Sequence, residues 1–127
     1  LAPEGTVFLL EQPELHLHPK VQAILADFFL GLTRVGKQVI VETHSEYLIN
    51  RLRRRVAEDE SDTLHQDIQI YFVERENGTS RFRSVDLNEF GVPLDWPKGF
   101  FDDGPSESRR IVEAALKKKA NKARRGK

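Results

Sequence analysis

The chain has 127 residues, 39% of them hydrophobic and 31% charged, the length and balance of a single globular domain with a buried core. It contains no cysteine, which excludes disulfides and thiolate metal sites, and no apolar run near the roughly 20 residues that a membrane-spanning helix needs. Formal charge sums to zero, yet residues 107–127 hold 9 basic and 2 acidic side chains against 11 and 18 in residues 1–106.

Residues 6–11, TVFLLE, form a continuous apolar run, the pattern of a strand covered on both faces in a parallel sheet. After two prolines, residues 20–32 place Val21, Ile24, Leu25, Phe28 and Phe29 at helical spacing, with Pro19 suited to the first turn. Gly36 then breaks the chain before a second buried-strand run, QVIVE, over residues 38–42. Ser45 is placed to cap a helix whose apolar stripe is Tyr47, Leu48, Leu52 and Val56. Arg51 and Arg53 to Arg55 load the C-terminal half of that helix, where positive charge offsets its dipole.

This β-α-β-α alternation predicts an α/β fold, a parallel sheet with flanking helices. An acidic loop, residues 57–62, separates it from a predicted β-hairpin that turns at Asn77-Gly78. The following Gly- and Pro-rich segment is expected to pack Phe90, Trp96, Phe100 and Phe101 on the body. A last helix is predicted from about residue 106 to residue 120, ahead of a basic tail expected to fray. Three regions result: 1–60, 61–105 and 106–127.

Three patterns are candidates for chemistry. His16 and His18 share a face in an extended segment and could chelate zinc with Glu14 or His44. The alternative is a pair of loop histidines bonded to backbone or lining an interface. Residues 31–38, GLTRVGKQ, approach a phosphate-binding loop, but Gln38 lacks the hydroxyl that ligates magnesium. The stretch also closes a helix and opens a strand, so its amides face away from where phosphates would lie, and the reading is rejected. The third pattern joins two strand ends: Glu11-Gln12 after the first run and Thr43-His44-Ser45 after the second. Ligands of open parallel sheets bind beyond the carboxyl ends of strands, where a carboxylate can hold a magnesium-bound water and a histidine can reach a γ-phosphate.

VFLLEQPELHLHP resembles the Walker B strand and D-loop of the ABC-type ATPase heads of SMC-like and OLD-family proteins. QVIVETHSEYLINRLRRR resembles the next strand, switch-histidine loop and helix of the same heads, and GVPLDWPKGFFDD resembles a C-terminal segment of a bacterial subgroup associated with phage-defence or mobile loci. The resemblance implies a partial P-loop NTPase that binds ATP and magnesium between two heads. Glu11 would support magnesium through water, Gln12 would stand in the water-activating position, and Pro13, Glu14, His16 and His18 would belong to the D-loop. His44 would be the switch histidine, its loop shaped by Thr43 and Ser45.

Gln12 departs from that pattern, since an amide cannot accept a proton, and Glu14 is a possible substitute. Neither a Walker A loop nor a signature motif is present. The chain, which also lacks any methionine, is therefore expected to be the C-terminal part of a longer cytoplasmic ATPase. Its expected partners are the N-terminal half of the same head, a second copy in a homodimer, and DNA through the basic tail, with no membrane. The rival expectations are a metal-dependent hydrolase using His16, His18 and His44, and a non-hydrolysing dimerisation module.

Overall fold

The computed structural model describes residues 3–101 and 103–126 and divides into two units, residues 1–95 and 96–127. In the first unit, β1 (Val7–Glu11), α1 (Pro19–Arg34), β2 (Gln38–Glu42) and α2 (Glu46–Ala57) follow the predicted order. β1 and β2 pair in parallel, with Val7 opposite Gln38, Leu9 opposite Ile40 and Glu11 opposite Glu42. A short 3-10 turn, Leu64–Asp67, leads into the antiparallel hairpin of β3 (Ile70–Glu76) and β4 (Thr79–Val85). Its turn residues, Asn77 and Gly78, both have positive φ, 50° and 77°, the backbone that a two-residue hairpin turn requires. The α/β class with a short parallel sheet, a hairpin and a C-terminal helix is as expected.

The core lies on one side of the parallel pair only. Phe8, Leu10, Val39 and Val41 are half-buried, while Val7, Leu9 and Ile40 on the other face are exposed, Leu9 by 77%. The apolar runs predicted cover on both faces; among the described residues only one face has it. α1 differs in the same sense. Its buried residues are Ala26, Phe29 and Leu30, and of the expected stripe Val21, Ile24 and Phe28 are exposed. Those three, spaced i, i+3 and i+7, form a second apolar face, which the sequence pattern could not rank against the first. In α2 the buried residues are Leu48, Ile49 and Val56, whereas Tyr47 is exposed.

α1 and α2 are tied by charge as well as by packing. Asp27 accepts from Arg51 Nη1 at 2.7 Å, and from Arg55 Nε and Nη2 at 2.7 and 3.0 Å. Two of the arginines assigned to the helix dipole therefore serve a cross-helix clamp, with Arg55 in the bidentate geometry its planar fork favours. The Arg55 hydrogen bond, and after burial is set against it that of Arg51, holds the Asp27 carboxyl below its ordinary range.

Beyond β4, Asn88 Oδ1 accepts from the amides of Phe90 and Val92, and Leu87 bridges to Pro93. Gly91 has φ +70° and lies so close to α2 that an added Cβ would come 2.1 Å from the Arg53 carbonyl oxygen. No other residue fits there. Phe90, expected to pack on the body, is instead 69% exposed, because the turn built on Asn88 and Gly91 carries it outward.

In the second unit Trp96 Nε1 donates to the Phe100 carbonyl at 2.6 Å, and Phe100 and Phe101 meet edge-on with centroids 5.8 Å apart. α3 spans Asp103–Arg125, so the basic tail expected to fray is helical. Its last turn carries Lys122, Arg124 and Arg125, cations that favour a helix C-terminus. No helix among the described residues is long and apolar enough to cross a membrane.

Asp27→Asn is expected to lower the thermal midpoint by roughly 4 °C, about 1 kcal/mol for a partly exposed clamp. Because the folded-state pKa of Asp27 is depressed, its contribution is complete above the ordinary carboxylate pKa and is lost as pH falls through the folded value. The wild-type and variant midpoints should thus converge in acid; a constant gap at every pH would contradict the clamp.

Candidate functional site at the strand ends

Parallel register brings the two sequence-predicted clusters together. Glu11 and Glu42 are direct partners at the carboxyl ends of β1 and β2, on the uncovered face and both exposed. One residue further, the Gln12 amide donates to the Glu42 carbonyl at 2.8 Å, extending the ladder past the strand. Gln12 takes φ +43° and His16 φ +64°, unusual values for residues other than glycine, so the chain folds back twice between β1 and α1. Such outliers in a loop beside strand ends are a physical pointer to function.

Glu14 is the buried member of this loop, 7% exposed. Its Oε1 accepts the His44 amide at 2.8 Å across 30 residues of sequence. Oε2 is buried too and has no partner among the described residues, a cost that marks a group kept for position rather than for net stability. Glu14 is therefore anchored through one carboxylate oxygen, with the other buried beside it. Sequence reasoning placed it in the loop but had no signal for its burial.

The second loop is braced in turn. Ser45 Oγ accepts from the Leu48 amide at 3.1 Å, the predicted cap, and donates to Gln22 Oε1 at 2.6 Å. Gln22 Nε2 donates to the Leu17 carbonyl at 2.8 Å, linking both loops through α1. Thr43 Oγ1 accepts from the Ser45 amide at 3.0 Å. Gln22, which braces both loops, carries no signal in the sequence pattern, since it lies on the helix and in neither motif. His44 itself projects outward, 75% exposed, with Nε2 3.2 Å from Glu42 Oε1.

The two histidines of the 12–18 loop take separate paths. His18 is the N-cap of α1, and its Nδ1 accepts from the Lys20 amide at 3.3 Å. His16 sits exposed in the left-handed region. No group of three or more His, Cys, Asp or Glu among the described residues could hold a metal ion, so the zinc site built on His16, His18, Glu14 and His44 does not assemble. Pro13 fixes the backbone between Gln12 and Glu14.

Residues 3–49 match the family model described as AAA ATPase domain, and residues 64–109 match one described as protein of unknown function (DUF3696). No curated protein and no solved structure matches. The first match supports a piece of an AAA-family ATPase, and it covers both strand ends and both loops. Such a family uses ATP with magnesium. Exposed Glu11 and Glu42 fit that ion, because magnesium prefers hard oxygen donors and keeps several waters and phosphate oxygens rather than entering an all-protein cage.

In the full-length chain, Glu14→Ala is expected to cost about 2 kcal/mol by leaving the His44 amide without its acceptor. Glu14→Gln retains a carbonyl oxygen there and should cost under about 1 kcal/mol. Urea unfolding measures both, and equal losses for the two variants would refute the hydrogen bond as the reason for burying Glu14.

Proposed function

We propose that the chain is the C-terminal part of an ABC-type ATPase head, one that binds and hydrolyses ATP at an interface between two heads. The observation that carries the proposal is the register of β1 against β2. It sets Glu11-Gln12 and Thr43-His44-Ser45 side by side at strand ends, inside the stretch that matches the ATPase domain. Glu11 is assigned the Walker B role and the 12–18 loop the D-loop role. His44 is the switch histidine. Magnesium, when bound, neutralises phosphate charge and lines up the β- and γ-phosphates.

The chain's own residues then divide the work. Gln12 orients the attacking water through its amide but cannot take the proton, which limits the rate. Glu14 holds the His44 backbone, and Ser45 with Gln22 keeps the two loops in step. The exposed face of Val7, Leu9 and Ile40, with an open strand edge beside each partner, supports docking of the N-terminal half of the same head. A homodimer follows from the D-loop assignment.

DNA processing or phage defence is the coupled task we assign, in the cytoplasm. α3 supports the DNA part: Lys117, Lys118, Lys122 and Arg125 gather on its surface, with Ala114 and Asn121 among them. Gln12 favours one second reading, a head that binds nucleotide without turnover.

In the full-length chain, His44→Ala should abolish ATP hydrolysis, and Gln12→Glu should raise the rate by about 10²–10⁴. Turnover that survives His44→Ala would take the switch-histidine role from His44. A wild-type protein without turnover would remove the ATPase assignment, and a Gln12→Glu rate no higher than wild type would remove the amide as the limit. Duplex DNA affinity should fall with salt, and neutralising Lys117, Lys118, Lys122 and Arg125 should reduce the log–log slope by about 3 to 4. An unchanged slope would take DNA away from α3.

A further inference from the structure

The hairpin of β3 and β4 has two faces of unlike chemistry. On one, Ile70, Phe72 and Val85 are buried, and the hairpin's carboxylates, Glu74 and Glu76, alternate to the same side. There Arg81 lies 3.2 Å from Glu76, and Arg83 pairs with Asp95. On the other face stand Tyr71, Val73 and Arg75 of β3, directly across from Ser84, Phe82 and Ser80 of β4. Phe82 is 75% exposed, Tyr71 61% and Val73 52%. This second face holds no carboxylate of the hairpin. Its one cation, Arg75, is exposed and has no ion pair among the described residues.

Six residues fall far short of the roughly 20 a side that a stable protein interface takes, and half of these six are polar. Such a surface suits an occupant that gains much from few contacts. Single-stranded nucleic acid is one: any base gains from stacking on an exposed ring, and a phosphate gains from a nearby guanidinium. Tyr71 faces Ser84 and Phe82 faces Val73, so the two rings are diagonal neighbours with backbones about 7 to 8 Å apart. Aromatic side chains on a sheet surface hold two or three splayed-out bases in this way. We propose that this face of the hairpin binds single-stranded nucleic acid, with Phe82 and Tyr71 each stacking a base and Arg75 meeting a phosphate. Ser80 and Ser84, two residues to either side of Phe82, add hydroxyls that donate or accept and so serve any base edge. The charge favours the same occupant. A polyanion meets Arg75 and no hairpin carboxylate here, whereas a basic partner would find nothing to pair with. The proposal does not rest on ATP turnover. Nor does it rest on α3, whose cations would meet the phosphates of a duplex as well as those of a single strand.

The test is fluorescence anisotropy of a labelled thymidine oligonucleotide of about 12 nucleotides, titrated with full-length protein. A uridine RNA of equal length and a DNA duplex are run alongside. Phe82→Leu keeps an apolar side chain but removes the π-face. It should weaken single-strand affinity about tenfold, as should Tyr71→Leu, while duplex affinity and the unfolding midpoint keep their wild-type values. Phe82→Tyr restores a ring and should bind as wild type does. Arg75→Gln should lower the log–log salt slope by about 0.7, the share of one phosphate on a single strand.

Equal affinity for the DNA and RNA oligonucleotides, or a preference for either, supports the face and names its strand. Absence of single-strand binding, wild-type affinity in both leucine variants, or an equal loss on the duplex overturns the proposal. A face covered by another segment of the chain or by a second copy gives the second of those results. Neutralising Lys117, Lys118, Lys122 and Arg125 tests α3 separately, because it should weaken duplex and single strand alike and leave the loss caused by Phe82→Leu in place.

Discussion

The site depends on one hydrogen bond between distant parts of the chain, from the His44 amide to the Glu14 carboxylate. A half-ladder of two parallel strands has only five paired positions to hold its ends together. Beyond Glu11 and Glu42 the backbones part, one into the 12–18 loop and the other toward α2. The Gln12 amide extends the pairing by one step, and Glu14 then reaches across from inside the loop. A buried carboxylate is costly, and one with a single partner more so. Its presence at this point, rather than an apolar residue that would pack more cheaply, ties the geometry of one loop to the other.

The consequence is mechanical. Gln12, Glu14 and Leu17 on one side are joined to Glu42, His44 and Ser45 on the other by hydrogen bonds of 2.6 to 2.8 Å, two of them through Gln22 on α1. The clamp of Asp27 with Arg51 and Arg55 then locks α1 to α2, so the helices that anchor the two loops cannot slide independently. The 12–18 loop and the loop that carries His44 would therefore move as one body. The same strands leave Val7, Leu9 and Ile40 exposed on their other face.

Much of the fold was legible because local rules and tertiary structure agree. The apolar runs, Gly36, the Ser45 cap and Asn77-Gly78 each report a constraint that acts within a few residues, and each element appears where those constraints put it. Which face an element buries was less legible. α1 has two apolar faces, and only its neighbours decide that Ala26, Phe29 and Leu30 go inside while Val21, Ile24 and Phe28 stay out. Phe90 was misplaced for a similar reason, since the turn on Asn88 and Gly91 sets its direction rather than its own hydrophobicity. At the site, the residue types at the strand ends were readable, but Gln22 and the burial of Glu14 arise from contacts across long sequence separations that no spacing encodes.

The central claim is that nucleotide binds at the paired ends of β1 and β2. Amide chemical shifts of the full-length chain, recorded with and without ATP and magnesium, test it most directly. The account predicts large, saturable changes at Gln12 and His44, with smaller ones along Glu14 and Ser45. ATP that binds while leaving Gln12 and His44 unmoved would contradict it.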